Sequence, residues 1–332
     1  MYHYLRDSDT SSQLWTSHCP RRNTMNTMVQ LNPPEQFATL PSGCTICYQV
    51  CGEQTSAPPV LIIAGHGSSM TQKIGGLINL LTKQSYWVIL FDHRDTGLSS
   101  VFPTPPEGSS ESAYTITDLA DDVIGLIHHL QLDAVHLVGF SMGGPIAWQV
   151  AARLPAKVAS LALCLTSPVG RQQLPTDNLP PMHLEGQWLL GEAFDPPQDE
   201  NAYEAWVQFY MGLDLCLATQ PPTAAERKDS RRQSELTYRR DREGGTVFSK
   251  FHHSRASGVR WPREMLKQVK CPTVVIHGAK DQLFPAEHAA ALRDDVDGAR
   301  LVVLENCGHE LPHRAQQPMV DAICENMARQ QR

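Results

Sequence analysis

The residue with the clearest chemical potential is Ser141, which stands in the pattern G-x-S-x-G at positions 139–143. An apolar segment rich in β-branched residues, from Val135 to Phe140, predicts a strand before it, and a helix is predicted from Met142 to about Leu154. A sharp strand-to-helix turn exposes the serine hydroxyl above a sheet. The two glycines of the pattern leave space where side chains would collide across such a turn.

Two further reactive groups follow predicted strands downstream. Asp281 comes after the apolar segment 273–277, and His309 comes after the segment 301–305. A histidine with a pKa of about 6.5 can take the proton of a serine hydroxyl at neutral pH, and a carboxylate can orient the imidazole. The order Ser, Asp, His, with each residue just past its own strand, predicts a catalytic triad.

The elements that must position these groups form an α/β pattern. Strands alternate with helices through residues 36–166 and 262–332, which is typical of a mainly parallel sheet with helices on both faces. The alternation breaks in residues 167–261, where Pro-rich stretches separate helical segments. Residues 1–35 have weak periodicity and predict a poorly ordered leader. Thr117 is predicted to cap the helix that precedes the Ser141 strand.

From about Gln36 to its end, the chain resembles the α/β-hydrolase superfamily. The resemblance rests on G-F-S-M-G around Ser141, on G-A-K-D-Q-L-F-P around Asp281 and on G-H-E around His309. It implies an eight-stranded, mainly parallel sheet with a helical cap inserted at residues 167–261. It also implies a serine nucleophile, an aspartate acid and a histidine base, with no metal and no organic cofactor.

One loop departs from the family pattern. In F-D-H-R-D-T-G-L-S, at residues 91–99, Asp95 and Thr96 stand where most members have a glycine at the first of the two positions. This variant is similar to the aclacinomycin methylesterase group, which demethylates esters on aromatic polyketides. The similarity implies a methyl ester substrate of the secondary-metabolite type. We expect Asp92 and Arg94 to form a structural brace rather than to act in catalysis.

The resemblance also indicates which backbone groups bind the oxyanion of a tetrahedral intermediate. One donor is the N–H of Met142, the residue after the nucleophile. The other belongs to the A-G-H-G-S loop at residues 64–68, where either His66 or Ser68 can supply it, and His66 is preferred. The candidate substrate-binding residues lie in the 64–68 loop, beside Ser141, near the predicted acid Asp281, or in the cap. The aromatic side chains of the cap either line a pocket or pack internally. They are Ser68, Phe140, Leu283, Phe284, Trp206 and Tyr210.

Composition excludes several functional classes. The formal net charge is −7 and there is no long block of Lys and Arg, which argues against nucleic-acid binding. There is neither an apolar run long enough for a membrane span nor a recognisable secretory signal. Nine cysteines, an odd number, argue against a secreted disulfide framework. These features predict a cytoplasmic protein. The resemblance to the α/β hydrolases implies a hydrophobic small molecule as its partner, and neither argument predicts an oligomeric state.

Two groups of residues could suggest a metal site, and neither fits one well. Cys44, Cys47 and Cys51 lie in a segment that alternates as a strand does. His252 and His253 are adjacent in the sequence, so their side chains point in different directions. We therefore predict no metal.

The leading hypothesis is a serine-dependent hydrolase that cleaves a carboxylic ester of a hydrophobic small molecule. The same triad also serves C–C bond hydrolases, aminopeptidases, lactonases and perhydrolases, and these alternatives stay open. A protein of another class, which uses the pocket only to bind a ligand or to guide a rearrangement, is a further alternative. Three intact triad groups argue against it, because a binding protein has no need of all three.

Overall fold

A single twisted sheet organises the chain. The computed structural model describes residues 33–71, 74–104, 112–183 and 196–329, and within these ranges eight strands form one sheet. The strands are β1 (Gln36–Thr39), β2 (Thr45–Cys51), β3 (Val60–Ile63), β4 (Val88–Phe91), β5 (Val135–Phe140), β6 (Val158–Cys164), β7 (Thr273–Gly278) and β8 (Arg300–Leu304). Their order across the sheet is β1-β2-β4-β3-β5-β6-β7-β8. The pairs β1–β2 and β2–β4 are antiparallel, and all other neighbours are parallel. The predicted eight-stranded, mainly parallel sheet is confirmed.

Helices cover both faces of the sheet. The helices in the described ranges are α1 (Gly75–Lys83), α2 (Ile116–His129), α3 (Gly143–Arg153), α4 (Tyr203–Leu215), α5 (Ala224–Gly244), α6 (His252–Ser257), α7 (Ala286–Asp295) and α8 (His313–Ala328). In strand β3, Leu61 and Ile63 pack into one apolar cluster with α2, α3 and α7, whereas Val60 and Ile62 pack into another with α1 and α8. Side chains alternate across a strand, so a strand buried on both sides is apolar throughout. No helix in the described ranges is long and apolar enough to cross a bilayer.

The N-terminal cap of α2 differs from the prediction. Thr115, not Thr117, caps the helix: its Oγ1 accepts from the Asp118 N–H at 3.3 Å, and Asp118 Oδ2 accepts from the Thr115 N–H at 2.7 Å. This reciprocal arrangement needs an acid three residues after the cap, and Thr115 has one where Thr117 has Ala120. Thr117 lies in the first turn and donates to Gln149 on α3.

The loop after β4 braces the fold through two separate ion pairs, in which Asp92 and Arg94 bind different partners rather than each other. Arg94 binds Asp122 on α2 through two hydrogen bonds of 2.6 and 2.7 Å. Asp92 instead pairs with Arg240 on α5 and accepts from the Leu98 N–H at 3.0 Å. Both acidic groups are buried, and each is matched by a guanidinium from another element.

The predicted leader (1–35) lies outside the described residues as far as residue 32. Its last residues already contact the core: Pro33 O accepts from the Gln49 side chain at 3.0 Å, and Glu35 pairs with Arg240. Helices α4, α5 and α6 occupy the stretch between β6 and β7.

Candidate active site

The turn between β5 and α3 holds Ser141 in a strained conformation, with φ at +49°. A Cβ added to Gly139 would lie 2.4 Å from the Gly143 carbonyl oxygen, and one added to Gly143 would lie 2.2 Å from the Ile63 carbonyl oxygen. Both contacts are with backbone atoms, which cannot give way cheaply. Glycine at these two places therefore lets the turn close and brings Ser141 beside the end of β3.

The structure brings Ser141, His309 and Asp281 together in one chain of hydrogen bonds. His309 Nε2 lies 3.0 Å from Ser141 Oγ, and His309 Nδ1 lies 2.9 Å from Asp281 Oδ2. Asp281 follows β7 and His309 follows β8, so the three residues meet at the carboxyl ends of their strands. With its Nδ1 proton directed at the carboxylate, the imidazole presents Nε2 to the serine as an acceptor.

Asp281 is fixed by its own backbone surroundings. Its Oδ1 accepts from the N–H groups of Leu283 at 2.7 Å and Phe284 at 2.9 Å. Burial opposes ionisation of the carboxyl, but the charge of His309, its hydrogen bond and the neighbouring His277 together hold the pKa of Asp281 below its usual value. The carboxylate is therefore charged and held in one orientation.

The hydrogen bonds around residues 64–68 separate the two candidates for the second oxyanion donor. The Ser68 N–H is used within the turn, where it donates to the Gly65 carbonyl oxygen at 3.2 Å. The N–H groups of His66 and Met142 have no hydrogen-bond partner among the described residues. Of the two alternatives weighed from the sequence, His66 is the one whose N–H is available.

Ser141 and His309 line a cavity of about 660 Å³ beneath α4, α5 and α6. Four of the predicted substrate-binding residues, Ser68, Phe140, Tyr210 and Leu283, line it as well. Much of the remaining wall is apolar, and a mostly apolar cavity of this size suits a small organic molecule. The other apolar side chains of the wall are Leu165, Pro196, Phe209, Leu213, Leu217, Phe251 and Leu311.

Two predicted substrate-binding residues lie elsewhere. Trp206 is fully buried in the aromatic cluster that joins α4 to α5, and its Nε1 donates to the Asp199 carbonyl oxygen at 2.9 Å. Phe284 is buried behind the triad, with its ring edge-on to His309 at 5.5 Å between centroids. Both side chains therefore pack within the protein. Trp206 does so because the inner face of α4 packs against α5, and Phe284 does so because its backbone N–H is turned towards the Asp281 carboxylate.

One side of the cavity carries hydroxyl groups that the sequence reasoning missed. Thr71, Ser230, Ser234 and Thr237 line it and are here called the hydroxyl wall. The hydroxyls of Thr71 and Thr237 lie 2.7 Å apart, whereas Ser230 Oγ is buried without a partner among the described residues. The signal was present: small polar residues recur at positions 230, 234 and 237 of a helix that is otherwise highly charged.

A buried cation borders the same cavity. Lys250 pairs with the Asp241 carboxylate, and its Nζ lies 4.3 Å from the centroid of the Tyr210 ring. The Tyr210 hydroxyl donates to the same carboxylate at 2.9 Å. These contacts neutralise the ammonium and fix Tyr210 in the cavity wall.

The residue after His309, Glu310, ties the loop that carries His309 to the segment that joins α4 to α5. Glu310 Oε1 accepts from Thr219 Oγ1 at 2.7 Å and from Arg314 at 2.7 Å, while its Oε2 accepts from the Gly308 N–H at 2.9 Å. The His309 loop and the 216–223 connection are thereby joined by one carboxylate.

The described residues contain no group of three or more His, Cys, Asp or Glu side chains arranged to hold a metal ion. Cys44, Cys47 and Cys51 are buried, and burial raises the pKa of each thiol, to about 11, about 12 and about 11. Such thiols stay protonated and are poor metal ligands.

Comparison with known proteins identifies the family of the chain. A family model described as the alpha/beta hydrolase fold matches residues 58–313. The rhodomycin D methylesterase DauP of Streptomyces sp. (strain C5) is 26% identical over 300 residues, which cover 84% of this chain and 94% of that protein. The corresponding enzyme DnrP of Streptomyces peucetius is 27% identical over 302 residues, with the same two coverages. Among solved structures, an esterase from Exiguobacterium antarcticum has a TM-score of 0.67 at 22% identity, covering 88% of this chain and 98% of that one. The resemblance predicted from the motifs is confirmed, and the chain belongs to the alpha/beta hydrolase family.

Proposed function

We propose that this protein is a serine-dependent carboxylic ester hydrolase that acts on a hydrophobic small molecule through an acyl-enzyme on Ser141. The observation that carries the proposal is the continuous hydrogen-bond chain from Asp281 through His309 to Ser141, which opens onto a largely apolar cavity. The strained backbone at Ser141 supports it, because strain of this kind is retained where function requires it. A protein that only bound a ligand would have no use for this arrangement.

Each step of the reaction uses a group already in position. His309 Nε2 takes the Ser141 proton while Oγ attacks the ester carbonyl carbon. The resulting oxyanion accepts hydrogen bonds from the N–H groups of His66 and Met142, and His309 then gives the proton to the departing alkoxide. A water molecule repeats the sequence on the acyl-enzyme and releases the acid. Asp281 keeps the imidazole in the required tautomer and stabilises the imidazolium in both halves.

The substrate we propose is a methyl ester on a large, mostly apolar molecule with oxygen atoms along one edge. The two Streptomyces relatives are named as methylesterases, which supports a methyl leaving group. The volume and the apolar side chains of the cavity support a large acyl portion. The Ser230 hydroxyl, which has no hydrogen-bond partner in the part of the chain that the structure describes, supports an oxygen-bearing edge, because a buried polar group gains from a hydrogen-bond partner.

A fluorophosphonate tests the nucleophile directly. We expect the intact mass of the protein to rise by one adduct, and we expect none for Ser141→Ala. Ser56→Ala is the matched control, since Ser56 is exposed and remote in sequence from the three triad residues. The same three proteins are then assayed on methyl and aryl esters. Adduct formation and turnover that persist in Ser141→Ala would contradict the proposal, as would a folded parent that neither reacts nor turns over any ester.

A further inference from the structure

Helix α6 holds the loop that supplies one oxyanion donor. The Gly67 N–H donates to His253 Nδ1 at 3.1 Å, and Ser254 Oγ lies 2.9 Å from His66 Nε2. Two consecutive residues of α6 therefore bind two consecutive residues of the loop at 64–68. The loop needs such support because Gly67 has a φ of +61°, a conformation that glycine leaves easily.

The hydrogen bonds of His253 define its tautomer. Its Nδ1 accepts from an N–H group, so the proton must reside on Nε2, which donates to the Arg94 carbonyl oxygen at 3.0 Å. The ring is fully buried, and burial, together with the nearby His93 and His66, holds the pKa of His253 well below its usual value. A neutral imidazole with a single donor and a single acceptor satisfies both neighbours.

A second contact of helix α6, between His252 and Asp95, explains why the loop after β4 departs from the family pattern at residue 95. Asp95 Oδ2 lies 3.0 Å from His252 Nδ1 on α6, and Asp95 Oδ1 accepts from the Phe102 N–H at 2.7 Å. Asp95 has a φ of +64°, the conformation that a glycine adopts without strain. Only the aspartate, however, supplies a carboxylate that fastens α6 to the loop after β4.

We propose that His253 is a positioning residue for the oxyanion hole, and that Asp95 fixes the helix that carries it. The inference rests on the proposed ester hydrolysis. His253 binds the peptide between His66 and Gly67, which limits rotation about His66 and so directs the preceding His66 N–H towards the carbonyl oxygen of the substrate. An N–H donor that is already oriented before the reaction does not have to reorganise when the oxyanion forms. This preorganisation is the source of the stabilisation that an oxyanion hole provides.

Two pairs of variants separate positioning from general stability. In His253→Leu the acceptor for Gly67 is lost, whereas in His253→Asn the amide oxygen can replace Nδ1. Asp95→Gly keeps the backbone conformation but removes the carboxylate, whereas the Asp95→Asn amide can accept from the Phe102 N–H and donate to His252 Nδ1. We expect kcat for a methyl ester to fall about ten- to hundredfold in His253→Leu and about tenfold in Asp95→Gly, with KM within about threefold. The Asn variants should stay within about fivefold of the parent.

The second readout compares an oxo-ester with the matching thionoester, whose sulfur accepts hydrogen bonds poorly. The parent should prefer the oxo-ester, and this preference should shrink about tenfold in His253→Leu and Asp95→Gly if the oxyanion donors are misplaced. A loss of folding alone would lower both rates equally. An unchanged preference in folded His253→Leu overturns the inference. If that variant does not fold, an unchanged preference in folded Asp95→Gly overturns it instead. A parent without turnover or fluorophosphonate reaction would refute the proposed function itself, which is a different result.

Discussion

Asp281 divides its two oxygens between His309 and the backbone: Oδ2 lies 2.9 Å from His309 Nδ1, and Oδ1 accepts two N–H groups. We expect Asp281→Asn to lower kcat by about 10³- to 10⁴-fold with KM nearly unchanged, because an amide N–H facing Nδ1 favours the tautomer that cannot take the Ser141 proton. Steady-state kinetics measure the effect, with the urea unfolding midpoint as the control for folding. A loss of less than tenfold would show that His309 does not depend on this carboxylate.

Gly143→Ala should distort the turn between β5 and α3 that holds Ser141, because the turn has no space for another methyl group. The added Cβ would lie 2.2 Å from the Ile63 carbonyl oxygen, so β3 and the elbow must separate. We expect the free energy of unfolding to fall by about 2–3 kcal/mol and the rate of fluorophosphonate labelling at Ser141 to fall more than tenfold. Gly75→Ala is the matched control: no atom of the described residues lies within 4 Å of its added Cβ, and its stability should change by less than about 1 kcal/mol. Similar behaviour of the two variants would contradict the steric explanation.

Two neighbouring aspartates of α2 should differ sharply in their contribution to stability. Asp122 and its partner Arg94 are only 1% and 6% exposed, whereas Asp121 and its partner Arg153 are 48% and 35% exposed. Asp122→Ala leaves a buried guanidinium without its carboxylate and should lower the free energy of unfolding by about 3–5 kcal/mol. Asp121→Ala should cost less than about 1 kcal/mol. Urea unfolding at neutral pH distinguishes the two, and equal losses would refute this account of the brace.

Buried neutral histidines predict a loss of stability in mild acid. Burial lowers the pKa of both His93 and His136 to about 4. The unfolded chain therefore binds more protons than the folded one between about pH 6.5 and 4, and stability falls as the pH falls through that window. We expect each histidine to contribute a decrease of about 2 kcal/mol between pH 7 and pH 5. In urea unfolding, the free energy of unfolding of His136→Gln should depend less steeply on pH than that of the parent. The difference in slope should correspond to about one proton fewer taken up on unfolding. A slope identical to that of the parent would mean that His136 is not buried in its neutral form.

The hydroxyl wall should affect binding more than chemistry. For a methyl ester with hydroxyl or keto groups on its far edge, we expect Ser230→Ala to raise KM about three- to tenfold and leave kcat within about twofold. For an ester of similar size without those oxygens, KM should change little or decrease. Fluorophosphonate labelling, which does not depend on this wall, serves as the control. An equal change in KM for the two esters would contradict the proposal that the substrate carries oxygen atoms along one edge.

The three residues that meet in the hydrogen-bond chain could be predicted because each follows directly on a strand whose apolar pattern is easily recognised. Ser141, Asp281 and His309 needed only the order of the strands and the rule that ligand sites lie at their carboxyl ends. The N-terminal capping residue of α2 could also have been predicted, since Thr115 has an acidic residue three positions later and Thr117 does not. That error reflects a pattern overlooked, not information missing from the sequence.

Other features could not be predicted because they depend on contacts across the chain. The bond between Gly67 and His253 joins residues 186 positions apart, and no local pattern announces it. An aromatic residue on a helix, such as Trp206, can pack against a neighbouring helix or face a cavity, and helical spacing is the same in both cases. The partner of Arg94 was likewise decided by the packing of α2 against the loop after β4.

The carboxylate of Glu310 has a consequence for how selectivity would appear in kinetics. Leu217 lines the cavity, and Thr219, two residues further on, donates a hydrogen bond to Glu310, the residue next to His309. A ligand too bulky for the cavity would displace this connection and, through Glu310, would move His309 away from Ser141. Poorly shaped substrates would then be bound yet turned over slowly, so that discrimination is expressed in the rate of acylation rather than in affinity.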